Sequence, residues 1–373
     1  MSPLNLFETQ AVIKVIGVGG GGCNAVNRMV QAGVHGVEFI VMNTDRQALD
    51  SSLADTRIPL GVALTRGLGT GGDPSRGEAA AKESEKQILE ILEGADMVFI
   101  TAGMGGGTGT GAAPFVAELA KRLDILTVGV VTRPFLFEGP RRKSLAKVGA
   151  EKLQEHVDTL ILISNDKILD VVDKRATMQD AFKSADDVLL QGVQGVSDII
   201  TKPGMMNVDF ADVRSVMHEA GVALMGMGRA SGEHRARHAA EAAASSPMLE
   251  TTIQGAKKLL VNITAGPDFS IGEARDAMEF INQLSDADEA EIFMGTVVDE
   301  SMGDDVSVTL LAAGMDTSRR RETESSVFPE HEVVTRSAEP QPSAPRAALK
   351  PIDMSDIEEL DIPTFLRRQR SRT

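Results

Sequence analysis

The sequence predicts an α/β protein built on a parallel sheet, and three observations carry that prediction. Apolar runs of strand length alternate with segments of helical periodicity through the first half. Two glycine-rich loops each follow a strand and open a helix. A single long amphipathic segment then precedes a shorter stretch of helices and strands.

AVIKVIGV at residues 11–18 is a buried-strand run, 24–31 reads as helix and 37–42 as a second strand. Asp73 and Pro74 are a good N-cap and N1 pair for a helix over 75–92. A strand at 97–101, a helix at 112–123, a strand at 125–132, a helix at 143–156 and a strand at 159–164 complete the alternation. This rhythm predicts a Rossmann-like parallel sheet covered on both faces. Met178, Ala181, Phe182, Ala185, Val188, Leu189, Val193, Val196, Ile199 and Ile200 then step by three and four, forming one stripe that ends before Pro203-Gly204. At ~1.5 Å per residue this helix spans ~37 Å, enough to link two domains. Helices at 210–217, 233–244 and 271–284 and strands at 259–264, 291–298 and 306–312 predict a second, smaller α/β domain. Its last two strands are adjacent in sequence, which suggests an antiparallel pair.

At 373 residues with 42% apolar content, the chain suits two domains with large cores. Cys23 is the only cysteine, which excludes a disulfide framework and a thiolate zinc site and fits a reducing compartment. The start, MSPLNLFETQ, lacks the basic and apolar regions of a signal peptide, and no run approaches the ~18 apolar residues of a membrane span. The net charge is −16, and the last 57 residues carry ten groups of each sign, so residues 1–316 hold the whole excess. Such a body is repelled by a nucleic-acid backbone. It must bind any anion locally, with backbone N–H groups and helix N-termini. All 36 glycines lie at or before Gly314, whereas six of the 15 prolines fall in the last 57 residues. Residues 317–350 read as a disordered linker, because they hold few large apolar side chains to offset ordering entropy.

The first loop runs Gly17-Val18-Gly19-Gly20-Gly21-Gly22-Cys23-Asn24, and the second is GGGTGTG at 105–111. Glycine lets backbone N–H groups approach phosphate oxygens, and the following helix N-terminus adds partial positive charge. Gly17, Gly19 and Gly22 also satisfy a dinucleotide fingerprint, with Asp45 near the end of the second strand, so a nicotinamide-dependent oxidoreductase stays open. The bland alternative is close helix–strand packing. No GxxxxGK[ST] pattern occurs.

The second loop, IGVGGGGCNAV at 16–26, NTD at 43–45, TRGLGTGGDP at 65–74, the TRPF and FEGPRR segments within 132–142, SNDKI at 164–168, FKSADDVL at 182–189 and NVDFADVRSVM at 207–217 together resemble the tubulin/FtsZ superfamily. They are closer to bacterial FtsZ than to eukaryotic tubulin. The resemblance covers residues 11–316 and resumes in DIPTFLRRQ at 361–369. It implies a GTP-dependent polymerising GTPase, with GTP and GDP as substrate and product and Mg²⁺ as cofactor. That protein forms the cytokinetic ring at midcell, on the inner face of the plasma membrane, and recruits other division proteins. The implied organisation is a flexible N-terminus (1–10), a GTP-binding domain (11–177), a central helix (178–203), a GTPase-activating domain (204–316), the linker (317–350) and an adaptor-binding peptide (351–373).

The resemblance also implies residue roles. Gly20, Gly21, Gly22, Cys23 and Asn24 belong to the first nucleotide loop, Gly71 and Gly72 face the γ-phosphate, and Gly107, Thr108 and Gly109 cradle the phosphates. Glu138 and Arg142 contact the ribose and phosphate side. Asn165 and Asp186 address sugar and guanine, and Phe182 packs on the base. A carboxylate accepts from guanine N1–H and the 2-amino group together, which adenine cannot offer, so Asp186 is the expected reader of GTP over ATP. Without the resemblance it is equally a solvated helix position. Cys23 replaces a common Gly and is expected to place a reactive thiol beside the nucleotide.

Asp209 and Asp212 stand three apart at a helix start, the spacing of a capping box. The resemblance gives them, with Asn207, a catalytic role in the nucleotide site of the next subunit along a head-to-tail filament. At the C-terminus, five acids over 353–361 and Arg367, Arg368, Arg370 and Arg372 flank Ile362, Phe365 and Leu366. Composition favours a solvated terminus, while the resemblance implies docking of Asp361 to Gln369 onto membrane-tethering adaptors of the FtsA/ZipA type and division regulators. Direct membrane insertion is not expected, because the apolar face is short.

Overall fold

The structure, a computed structural model, describes residues 11–314 apart from 171, 173–174, 203, 207, 250–252, 254–255 and 286–289. All of them fall in one compact unit. The expectations for the N-terminus, for Asn207, for the linker and for the 351–373 peptide lie outside the described residues.

Strand β1 (Ile13–Val18) leads into α1 (Gly19–Gln31), and β2 (Glu38–Asn43) into α2 (Arg46–Asp50). After β3 (Thr56–Pro59) come α3 (Val62–Thr65), α4 (Pro74–Glu83) and α5 (Glu85–Leu92). Next are β4 (Met97–Gly103), α6 (Thr108–Arg122), β5 (Leu126–Arg133), a 3-10 turn (Leu136–Glu138) and α7 (Pro140–Gln154). β6 (Thr159–Ser164) precedes α8 (Asn165–Leu169), the 24-residue α9 (Met178–Thr201) and α10 (Phe210–Met217). The second half continues with β7 (Gly221–Ser231), α11 (Arg235–Ala244), β8 (Lys258–Ala265), α12 (Ile271–Leu284), β9 (Glu291–Val298) and β10 (Asp305–Ala313).

Among the described residues the strands form one sheet in the order β3-β2-β1-β4-β5-β6-β7-β10-β8-β9. The first seven run parallel; the strand–helix rhythm predicts five of them, and β3 and β7 extend the sheet at either side. Alternate side chains feed two cores. Val15, Phe99 and Val128 pack with α1, α9 and α10, and Ile16, Ile100 and Val131 pack with α4 to α7. Helix α9 bridges the halves, since Leu260 and Leu311 of β8 and β10 join its core. The opposite face of β8 and β10 is covered by α11 and α12.

Four expectations need correction. The strands β9 and β10 do not pair: both flank β8, β9 parallel and β10 antiparallel, and β10 also pairs with β7. The helix over 75–92 is two helices, α4 and α5. Ser84 leaves helical geometry (φ −98°, ψ 12°), and its hydroxyl accepts the Gly61 N–H at 3.1 Å. Helix α1 begins at Gly19 rather than at residue 24, so the glycines themselves form its first turn. Strand β7 escapes the sequence reading because Gly226 and Gly228 look like loop. There, a Cβ would lie 2.1 Å from the Ala243 oxygen and 2.2 Å from that of Ala239, so the glycines let α11 lie directly on the strand.

The same device holds α4 against α6. A Cβ on Gly111 would lie 1.9 Å from the carbonyl oxygen of Pro74. Gly111→Ala should therefore lower the melting temperature: ~1–3 kcal/mol of overpacking outweighs the ~1 kcal/mol gain in helix propensity. An unchanged or raised thermal midpoint would show that the helices part freely.

Candidate nucleotide site

Parallel pairing sets the ends of β1, β4, β5 and β6 abreast, with Val18 opposite Ala102, Gly103 opposite Thr132 and Arg133 opposite Ser164. The loops leaving these ends share one edge of the sheet. Helices α1 and α6 start there, and neither has a side-chain cap or an acidic residue in its first turn. By contrast α4, α9, α10 and α12 each carry a Ser, Thr or Asp cap. Helices α5, α7, α8 and α11 also lack a side-chain cap; what sets α1 and α6 apart is a glycine-rich first turn, whose N–H groups an anion can approach.

The glycines at this edge divide by what a Cβ would meet. Gly19, Gly22, Gly107 and Gly109 touch backbone or side chain: Gly19 faces the Gly109 nitrogen at 2.7 Å, Gly22 the Thr101 oxygen at 2.4 Å and Gly107 the Thr70 hydroxyl at 2.0 Å. Gly21 faces Gly103 at 3.1 Å, so the two expected phosphate loops abut. Gly20, Gly71, Gly72 and Gly106 border open space, and Gly71 and Gly72 hold left-handed φ of 65° and 78°. This empty rim ringed by backbone suits a phosphate chain.

The remaining expected residues line the same edge. Glu138 accepts the Phe135 N–H at 2.9 Å and pairs with Arg142 at 2.5 Å. Asn165 opens α8; it is buried, and its Oδ1 has no hydrogen-bond partner, an orphan acceptor that a ribose hydroxyl would satisfy. Phe182 is exposed on α9 and meets Phe135 edge-on at 5.2 Å, with Phe137 stacked on Phe135 at 4.8 Å. Phe135 and Phe137 lie within the quoted motifs, but no residue-level argument singled them out. Burial pushes the Asp186 carboxyl up to about 7, Asp187 adds to the shift and Arg28 opposes it. Arg28 on α1 is bonded to Asp187, which fixes this part of α9 to the first loop's helix.

Asn24 is exposed at the rim, but Cys23 departs from expectation. Its side chain is 2% exposed, faces the core beside Ala25 and Met29, and has Asn43 as a hydrogen-bond donor at 3.6 Å. Burial pushes the thiol up to about 11, so it stays protonated and unreactive, and only its backbone can serve the loop. Asp45 caps α2, accepting from Gln47 at 2.9 Å, so the acid that a dinucleotide ribose would need is engaged locally.

Asp209 and Asp212 are not at this edge. Helix α9 carries Phe182 near the carboxyl edge and ends with Thr201 against Gly36, just before β2 at the amino edge. Helix α10 follows and is fastened there: the Thr159 hydroxyl donates to the Met217 oxygen at 2.5 Å, and His218 meets Asp158 at 2.9 Å. Asp209 and Asp212 form the capping box of α10, each accepting the other's backbone N–H, at 2.8 and 3.4 Å. Among the described residues no cluster of three or more His, Cys, Asp or Glu could hold a metal ion.

Fold and edge define an α/β nucleotide-binding protein whose glycine-lined rim offers backbone rather than lysine to a phosphate chain. Residues 12–173 match the Tubulin/FtsZ family, GTPase domain, and residues 221–316 the FtsZ family, C-terminal domain. An empty FtsZ dimer from M. jannaschii superposes with TM-score 0.80 at 41% identity, covering 86% of this chain and 94% of that one. A tryptophan-to-tyrosine mutant of M. jannaschii FtsZ gives TM-score 0.79 at 43% identity, over 82% and 92%. A GTPγS-bound protofilament of CetZ2 from Haloferax volcanii, at 21% identity and TM-score 0.69 over 85% and 99%, shares the fold. The chain belongs to the tubulin/FtsZ family and is an FtsZ-type GTPase that uses GTP and yields GDP.

Native protein should resist a thiol reagent at pH 8 and release one reactive thiol only in denaturant. Rapid stoichiometric labelling of the folded chain would show that Cys23 faces solvent.

Proposed function

We propose that this GTPase assembles head to tail, completes its active site between subunits and forms the cytokinetic ring at the division site, where it recruits other division proteins. The observation that supports this best is the separation of the half-sites: phosphate loops at the carboxyl edge, Asp209 and Asp212 at the amino edge. One chain cannot bring them together, whereas a second copy stacked end to end can. Exposed apolar side chains favour such stacking at both ends. Leu136 and Phe137 stand exposed beside the nucleotide edge, and the exposed Met205 and Met206 lie in the segment just before Asp209 and Asp212. A heterologous contact that does not close yields a filament.

In this reading the amides of Gly20, Gly21, Gly22, Gly107 and Gly109 and the Thr108 hydroxyl hold the phosphates, with Gly71 and Gly72 at the γ-phosphate. Glu138, Arg142 and Asn165 serve the ribose side, Phe182 packs on guanine and Asp186 reads it. Asp209 and Asp212 of the next subunit, with Asn207, orient the water for in-line attack on the γ-phosphorus. Each carboxylate has one oxygen engaged in the cap, leaving the other to accept from that water. Mg²⁺ bound with the nucleotide would supply charge neutralisation on the phosphate oxygens. Among the described residues no helix is long and apolar enough to cross a membrane. Placement on the inner face of the plasma membrane would fall to FtsA/ZipA-type adaptors docking on Asp361 to Gln369, a role supported by the resemblance of that peptide.

Asp212→Ala should keep GTP binding and lose most hydrolysis. Mixing it with a Gly107→Val chain, whose phosphate loop is blocked, should restore part of the phosphate release. Failure of isolated Asp212→Ala monomers to bind GTP would overturn the assignment in trans.

Guanine binds the ionised form of Asp186, and near neutrality the free carboxyl is only partly ionised. Binding below pH 7 must first remove a proton. GTP affinity should rise with pH up to about 7 and then level off, and below that fall by up to about tenfold per pH unit. Asp186→Ala should bind weakly at every pH, retaining only the nucleotide's own titration. Identical pH profiles for the two proteins would sink the base-reading role.

A further inference from the structure

We propose that Thr44 is a positioning residue whose hydroxyl, donating to the Thr108 hydroxyl, turns Thr108 into a fixed donor toward the nucleotide phosphates. The inference rests on the GTP reading of this site. Thr44 follows β2 and is buried; its Oγ1 lies 2.6 Å from Oγ1 of Thr108, the first residue of α6. Its carbonyl oxygen accepts the Gly69 N–H at 3.0 Å and the Thr65 hydroxyl at 3.4 Å. Neighbouring backbone adds the Arg46 N–H to the Gly67 oxygen at 3.0 Å and a bridge between Asp45 and Leu68. Thr44 therefore fastens the loop carrying Gly71 and Gly72 with its backbone and the phosphate helix with its side chain.

The direction of the hydroxyl pair decides its use. Only one hydrogen can lie between two oxygens 2.6 Å apart. If Thr108 donated to Thr44, Thr108 would turn lone pairs toward an anion. If Thr44 donates, the Thr108 hydrogen is released for a phosphate oxygen, and the two hydroxyls polarise each other in series. An anion in the cradle selects the second arrangement. Both side chains are buried, so water does not replace the Thr44 donor when it is lost.

The test measures GDP and guanosine binding to the full chain as wild type, Thr44→Val, Thr44→Ser, Thr108→Val and the double valine variant. Thr44→Val should weaken GDP roughly 3- to 10-fold, the range of one hydrogen bond, and leave guanosine affinity unchanged. Thr44→Ser should bind as wild type. In the Thr108→Val background, Thr44→Val should add no further loss. Equal weakening of GDP and guanosine, or additive losses in the double variant, would make Thr44 a purely structural residue and overturn the inference. A wild type that binds no GDP would instead refute the nucleotide reading itself.

Discussion

An acidic chain that must hold a polyanion is the constraint on which this structure turns. With −16 net charge, the body cannot attract phosphate through its overall field. The attraction has to come from oriented N–H groups over a few ångströms. Parallel strands provide the frame, because their common direction places several strand ends and helix starts on one edge. Leaving α1 and α6 uncapped is the local cost of that frame, and omitting acids from their first turns keeps the field clean.

The glycines follow from the same constraint but serve two separate needs. One set, including Gly19, Gly22, Gly107 and Gly111, lets chain segments come closer than any added side chain permits, which brings loops from β1, β4 and the 65–72 region into one rim. The other set, Gly20, Gly71, Gly72 and Gly106, touches nothing and bounds the space a ligand would occupy. Sequence shows glycine density but not this division, because it depends on which loops meet across the sheet. A tight turn and a phosphate cradle read alike until the neighbours are known.

Most of the architecture was legible because its elements are long and periodic. The parallel strands and the stripe of α9 announce themselves through alternation and three-four spacing. The errors occur where a side chain or glycine answers to a distant partner. Ser84 breaks a helix to serve Gly61, and Gly226 and Gly228 hide a strand in order to seat α11. Adjacency in sequence suggested pairing of β9 with β10, but β8 lies between them, with its hydrogen bonds taken on both sides. At the site, residue roles came through the family resemblance. What it could not supply was burial, and burial reverses the character of Cys23: a residue in the loop motif turns its side chain inward and becomes core.

In the proposed assembly, Asp209 and Asp212 show why capping and catalysis need not compete. A capping box uses one oxygen of each carboxylate and fixes the rotamer of both side chains. The second oxygens are then held in a fixed direction at the N-terminus of α10. In the proposed assembly, an acid that orients water in another subunit must be rigid before that subunit arrives, since ordering it at the interface would oppose assembly. The cap meets that requirement within one chain. The same spacing that reads as a plain helix start is therefore the spacing that a preorganised half-site requires, and sequence alone cannot separate them because physically they are one arrangement.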